Sequence, residues 1–222
     1  MFLTKHEAIS VAGVADLQIR SLLDRQQFFD PRQQAQRLGI SSAAWPMFGL
    51  LWPSAVWLAA YLAKRAIAPG ERILELGCGL ALPSLVAHRR GADVTASDRH
   101  PLTASFLRHN LRLNQLPPMK YRHADWAENG RGAGSRAAQF DLIIGSDLLY
   151  ERDTRGSLAA RIDAAASAAV EVWIVDPNRG NRAPFNRRMR DNGFDCQEER
   201  LDSAATATAA SYQGRLLVYR RS

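Results

Sequence analysis

Apolar and polar positions change period repeatedly along this chain from about residue 53 onward. Helical spacing predicts a helix that opens at Pro53, runs through SAVWLAAYLAKRA with one apolar face, and ends before Pro69-Gly70. A short buried strand follows at Arg72–Leu76 and is broken by Gly77. The pattern then predicts a helix over Pro83–Arg90, a strand over Asp93–Ser97 and a helix over Pro101–Asn114, with Leu102, Phe106, Leu107 and Leu111 on one stripe. Residues 119–124 read as a third strand and Phe140–Ser146 as a fourth. A helix over Ser157–Ala169, a strand over Val170–Val175 and a helix over Ala183–Asn192 come next. Two final strands lie near Phe194–Leu201 and Arg215–Tyr219, separated by an Ala/Thr loop.

Alternation of this kind predicts parallel βαβ units in a doubly wound α/β sheet. The last two strands have no helix between them, so they pair antiparallel as a hairpin. The expected fold is a mostly parallel seven-stranded sheet with helices on both faces and an antiparallel C-terminal hairpin. Residues 1–50 carry no motif attached to chemistry and are read as an accessory segment ahead of a domain spanning 51–222.

Composition narrows the setting. No run of about 18 uninterrupted apolar residues appears, which argues against a transmembrane helix or a membrane partner. The N-terminus MFLTKHEAIS lacks the apolar stretch and cleavage site of a secretory signal. Two cysteines, Cys78 and Cys196, exclude a disulfide scaffold and a cysteine-rich zinc site, and fit a reducing, cytoplasmic compartment. The five histidines show no ligand-like pairing, so no metal is expected. A chain of 222 residues can bury its own core, consistent with a monomer. Its richness in alanine and arginine is that of a GC-rich bacterial genome. Lys and Arg total 29 against 22 acids, a net charge of +7 that admits a nucleic-acid partner through phosphate contacts. The arginines are scattered, however, and a solvated surface explains them equally simply.

The acids are better placed than the bases. In an open α/β sheet, ligands bind outside the carboxyl ends of the strands, where strand order reverses. Glu75 lies near the end of the first strand, Asp98 after the second, Asp125 after the third and Asp147 after the fourth. Four such acids should converge on one crevice, with the excess positive charge elsewhere on the surface. The loop between the first strand and its helix reads ELGCGLALP, and Gly77 and Gly79 permit a tight turn and close approach of a ligand. The dinucleotide fingerprint G-x-G-x-x-G fails because Leu82 takes the third glycine's place, and no G-K-[ST] follows. Glu75 would also repel a pyrophosphate. A ligand with ribose hydroxyls and a cationic centre suits these acids, with Asp98 accepting from the ribose.

On ELGCGLALPS, the acid of ASDRH, the ADW after the third strand and the SDLLY after the fourth, the chain resembles the seven-β-strand S-adenosylmethionine-dependent methyltransferases. Trp52-Pro53 ahead of the first helix, and Asp147-Leu148-Leu149-Tyr150 as a D-x-x-Y motif, are similar to the lysine methyltransferase branch of that class. The resemblance implies that Glu75, Gly77 and Gly79 hold the methionine part of the cofactor and Asp98 its ribose. It implies that Asp125 and Trp126 border the adenine, that Trp52 packs near the cofactor beside Ser146, and that Asp147 and Tyr150 line the substrate side. The third glycine of the family's E-x-G-x-G-x-G loop is Ala81 here. The run RSLLDRQQFFD would then form a small element over the substrate entrance.

These readings converge on methyl transfer to a protein lysine. The alternatives are a small-molecule amine, a nucleic acid, a cofactor-shaped binding module and an NAD-dependent oxidoreductase. Base-amino methyltransferases commonly carry [ND]-P-P-[YF] after the fourth strand, where this chain has Ser146-Asp147-Leu148-Leu149. A carboxylate raises the pKa of a neighbouring amine, so Asp147 is cast as orienting the acceptor, with Tyr150 on the same face if the segment turns helically. Asp147→Ala is expected to abolish methyl transfer while retaining cofactor affinity; full activity in that variant would refute the assignment.

Overall fold

The computed structural model describes residues 1–124, 139–150, 152–205 and 211–222. Its centre is a seven-stranded sheet in the order β5-β4-β3-β6-β7-β9-β8. The parallel strands are β3 (Arg72–Leu76), β4 (Asp93–Asp98), β5 (Lys120–His123), β6 (Phe140–Ser146) and β7 (Ala166–Asp176). The terminal hairpin, β8 (Asp195–Ser203) and β9 (Tyr212–Arg221), is antiparallel, and β9 inserts between β7 and β8. The expected sheet and its closing hairpin are therefore present.

Strand residues alternate between two cores. Leu74, Leu76 and Ile143 pack with Leu158 and Ile162 of α5 (Ser157–Ala165) and Phe185 and Met189 of α6 (Arg182–Asp191). Ile73, Leu142 and Ile144 pack on the other face against Leu58 and Leu62 of α2 (Pro53–Lys64). Both faces are covered, which is why β6 reads as a near-continuous apolar run. Helices α3 (Leu82–Arg89) and α4 (Thr103–Leu113) complete the crossovers beside β4.

Two helix boundaries depart from the sequence pattern. The helix predicted to Ala169 stops at Ala165, and Ala166 starts β7. Alanine-rich sequence favours helix, but Ala166 pairs with Phe140, and Ser167 Oγ donates to the Phe140 carbonyl at 2.9 Å. Tertiary pairing overrides the local preference. Helix α2 ends at Lys64, before Pro69; Arg65 is extended and donates two hydrogen bonds, of 2.6 and 2.7 Å, to Glu71.

The segment before residue 50 holds more structure than its sequence announces. Strands β1 (Thr4–Val11) and β2 (Val14–Leu22) form a hairpin across Ala12-Gly13, and the four-residue α1 (Gln34–Arg37) follows. Leu17, Ile19 and Ser21 of β2 are buried at alternate positions. Leu17 and Ile19 join a core shared with Leu85 of α3 and Phe106 of α4. Side chains of α4 pair with the open edge of the hairpin: the amide N–H groups of Arg20 and Gln18 donate to Asn110 Oδ1 at 2.9 Å and Asn114 Oδ1 at 2.8 Å. Polar capping of this kind closes an edge strand to further pairing. Of the run RSLLDRQQFFD, Arg20–Leu22 belong to β2, and Arg25 reaches the cleft described below.

Residues Trp45–Lys64 have the length and mean hydropathy, 1.3, of a membrane span. They are divided by extended backbone at Leu50 and Trp52 into a 3₁₀ turn (Trp45–Gly49) and the 12 residues of α2. A helix of that length is about 18 Å long against a hydrocarbon core of about 30 Å.

If the hairpin is an integral part of the fold, Leu17→Ala should cost about 2–4 kcal/mol in urea denaturation, as buried leucines do. It should also keep a single unfolding transition. A separate early transition, with the main one unshifted, would show the hairpin to be an independent appendage.

Candidate active site

The sheet order reverses at β3, which has β4 then β5 on one side and β6 then β7 on the other. Beyond the carboxyl ends of these strands lies a cleft of about 1230 Å³. One wall is the loop between β3 and α3. Its path is set by left-handed residues at Gly77, Gly79 and Ala81, with φ of +59°, +50° and +58°. At Gly79 the space is also occupied, since an added Cβ would lie 3.0 Å from the Phe48 carbonyl. Ala81 is fully buried and adopts this conformation at a cost of about 1 kcal/mol.

Asp98 pins this loop. It is 8% exposed. Its carboxylate accepts the Gly79 N–H at 2.9 Å and the His100 N–H at 2.8 Å. The Cys78 N–H continues the β3–β4 pairing by donating to Ser97 O at 2.9 Å. Burial pushes the Asp98 pKa up against these two amide donors. Burial also raises the Cys78 thiol, consistent with a turn residue rather than a nucleophile. His100 stacks on Phe48 with ring centroids 3.8 Å apart and is 3% exposed. Its pKa is pushed down to about 3 by burial, so the ring is neutral, and its Nε2 is buried without a protein partner.

Glu75 sits differently from the other acids. It is buried beneath the loop, where its carboxylate accepts the backbone N–H of Ser84 at 3.1 Å and a short bond from the Ser84 hydroxyl. It fastens the first turn of α3 and does not line the cleft. Burial raises its pKa to about 8 despite those donors.

Ser146 and Asp147 line the opposite wall, at the end of β6. Asp147 is left-handed, φ +56°, and its N–H donates to Val175 O at 2.8 Å. Its carboxylate is held by both prongs of Arg179, from Nε at 2.7 Å and Nη2 at 2.9 Å. Leu148 and Leu149 turn into the core, and Tyr150, 48% exposed, returns to the cleft. Trp52 lines the same space, its indole N–H donating to Met47 O at 3.0 Å, with the Arg179 guanidinium 6.0 Å from its ring centroid. The fold thus brings Trp52, Gly77, Gly79, Asp98, Ser146, Asp147 and Tyr150 to one cleft. Asp125 and Trp126 lie outside the described residues.

Four further residues that were not among the candidate site residues line the cleft. Phe48 and Met47 come from the 3₁₀ turn, within the segment to which no chemistry was attached; the aromatic cluster Trp45-Pro46-Met47-Phe48 was its only signal. Arg179, from the segment after β7, is the partner of Asp147 across 32 residues. His100, two residues after Asp98, is part of the wall. The expected charge distribution also needs correction. Positive charge is not confined elsewhere: Arg25, Arg99, Arg152, Arg155, Arg179, Arg187 and Arg188 all line the cleft. They come from four separated stretches, at residues 25, 99, 152–155 and 179–188, and only folding gathers these stretches.

A doubly wound sheet with this strand order, and a glycine loop and acids at its switch point, defines a class I methyltransferase fold. Two solved structures share it: the magnesium protoporphyrin IX methyltransferase of Synechocystis (TM-score 0.58, 19% identity, 88% of this chain and 86% of that one), and the 16S rRNA N2 G1207 methyltransferase of T. thermophilus (TM-score 0.62, 18% identity, 99% and 51%). The lysine methyltransferase family matches residues 38–185, and the chain belongs to that family. Among curated relatives, the zebrafish protein N-lysine methyltransferase METTL21A is 28% identical over 183 residues, 77% of this chain and 76% of that protein. The electron transfer flavoprotein beta subunit lysine methyltransferase of Xenopus laevis is 29% identical over 184 residues, covering 80% and 70%. The rat histone-arginine methyltransferase METTL23 is 34% identical over 115 residues, 50% of this chain and 51% of that protein. The match to METTL23 thus spans about half the length of that relative.

Glu75 binds protons between its ordinary pKa of 4.5 and about 8 in the folded chain but not in the unfolded one. The folded state is therefore favoured at low pH within that window and loses stability as pH rises through 8. Glu75→Gln should raise the melting temperature at pH 9 relative to wild type and change it little at pH 5. An equal shift at both pH values would contradict the raised pKa.

Proposed function

We propose that this chain is an S-adenosylmethionine-dependent methyltransferase acting on the side-chain amine of a protein lysine. The observation that carries this is the placement of Asp147, heading the D-x-x-Y turn, in the same cleft as Asp98 and the glycine loop. The residues fit the cofactor: an almost buried carboxylate at Asp98 and an unpartnered buried nitrogen at His100 Nε2, both lining the cleft. Gly77 and Gly79 would hold the methionine part and Asp98 the ribose, with Trp52 and Ser146 alongside. Glu75 would act beneath them by holding the loop to α3. Bound there, S-adenosylmethionine would supply an electrophilic sulfonium-bound methyl group with a neutral thioether as leaving group.

The protein's task is then to position a nucleophile and exclude water. A lysine amine with an ordinary pKa near 10.4 is mostly protonated at neutral pH. The apolar wall of Leu50, Leu51, Met47 and Trp52 favours its neutral form, whereas Asp147 favours the charged one. Asp147 therefore orients the amine, and Tyr150 borders it. Because Asp147 already holds Arg179, an acceptor must exchange with that guanidinium.

The same pair supports a second reading, an arginine acceptor, because Asp147 demonstrably accommodates a bidentate guanidinium. The proposal extends to a monomer in a reducing, cytoplasmic compartment, supported by two cysteines that are both free. A bacterial source has only the alanine and arginine content behind it, while the relatives above are vertebrate proteins.

Incubation with methyl-labelled S-adenosylmethionine and a cell lysate tests the acceptor. Label should resist nuclease, be released by protease, and appear after acid hydrolysis as ε-N-methyl-lysine. Methyl-arginine would establish the second reading, and label confined to nucleic acid or small molecules would overturn both.

A further inference from the structure

The mouth of the cleft carries charge that the methyl-transfer chemistry does not use. Arg25, Arg99, Arg152, Arg155 and Arg187 line it, and among the described residues none of them has a carboxylate within ion-pair distance. All but Arg99 are exposed. Of the acids lining the cleft, Asp98 lies within electrostatic reach of Arg99 and accepts the Gly79 and His100 N–H groups. Asp147 holds Arg179, and the Asp153 carboxylate accepts the N–H groups of Ser157 and Leu158, each at 3.0 Å, at the start of α5.

The arrangement is built, not incidental. Arg188 of α6 donates to the backbone carbonyls of Asp153 and Thr154, the latter at 2.7 Å, tying the loop of Arg152 and Arg155 to the helix that carries Arg187. Gly156 in that loop, φ +72°, has Arg188 Nε where a Cβ would come within 3.0 Å. A second pocket on the same rim, about 440 Å³ and lined by Arg182, Arg200 and Arg215, lacks this excess. Glu198 pairs with Arg182 and Arg215 at 3.4 and 3.5 Å, and Asp202 takes Arg200. Among the described residues, arginine charge without an ion-pair partner thus collects around the reactive cleft.

We propose that this arginine collar docks an acidic segment of the protein substrate, with aspartates or glutamates flanking the acceptor side chain. The inference rests on the protein-substrate reading above. Guanidinium forks match carboxylates in geometry and charge. The collar also surrounds one mouth beside Asp147, as suits a single side chain inserted between acidic neighbours. A polynucleotide would call for a continuous basic stripe. Exposed charge pairs act mainly on encounter and substrate affinity and weaken with salt.

Two arms test this with the full chain and S-adenosylmethionine bound. In fluorescence anisotropy, a labelled peptide with one lysine among glutamates should bind about tenfold more tightly than its glutamine counterpart, and lose that advantage at high salt. Equal binding of the two peptides, or preference for a single-stranded RNA of the same length, overturns the proposal. The combined variant Arg152→Glu, Arg155→Glu, Arg187→Glu should lose the preference for the glutamate peptide and gain one for a lysine-flanked peptide. Its affinity for S-adenosylmethionine by calorimetry should be unchanged. An unaltered peptide preference in this variant also overturns the collar. In the lysate arm, wild-type label should map to lysines with acidic flanks; neutral or basic flanks overturn it. Glutamate-peptide binding without any protein label would leave the collar standing and remove the lysine-methylation reading instead.

Discussion

The reversal of strand order at β3 is the constraint on which the rest of the molecule depends. It leaves a gap above the sheet that the chain must line without filling, and the loop of residues 77–81 does so only because it is clamped from below. Asp98 accepts the Gly79 N–H, Cys78 extends the pairing with β4, and Glu75 fastens the start of α3 through Ser84. Without these ties the loop could fold back over the sheet, since its glycines impose little conformational preference of their own. Two buried carboxylates are a costly way to hold a turn, because burial disfavours their charged forms. That cost places one acid, Asp98, at the surface of the cleft and another, Glu75, directly underneath it.

Electrostatic roles divide by depth. The deep acids are nearly sealed and organise backbone. Asp147, at the level of the opening, has its side chain 10% exposed and is engaged by Arg179. Farther out, arginines from the N-terminal segment, the loop after β6 and α6 surround the mouth. The +7 of the whole chain is thus not a uniform surface property. Outside the cleft many arginines sit beside acids, as in Arg65–Glu71 and Arg220–Glu171.

Much of the fold was legible in the sequence because its signals are local. Runs such as FDLIIGS report burial on both faces of a strand, Pro53 and Gly91 punctuate helices, and a missing helix before residue 212 requires a hairpin. Misreadings arose where a partner outvoted local preference. Ala166–Ala169 looks helical until Phe140 is alongside, and nothing within RILEL shows that Glu75 turns under the loop while Asp98 faces the cleft. The β1–β2 hairpin did leave a trace in the alternate Leu17, Ile19 and Ser21 of its second strand, which follows the two-residue turn Ala12-Gly13.

By itself, the sequence determined the sheet, its closing hairpin, the glycine loop and the succession of acids at the strand ends, because each depends on residues close together in the chain. Only the tertiary structure decided which acid lines the cleft and which supports it, that Arg179 occupies Asp147, and that Phe48 backs His100. The same holds for the arginines, which look dispersed along the chain yet meet at one opening. These are contacts between segments tens of residues apart, and side-chain chemistry alone carries no record of such distances. Net charge can be counted from residues, but where its field is concentrated depends on the fold that brings them together.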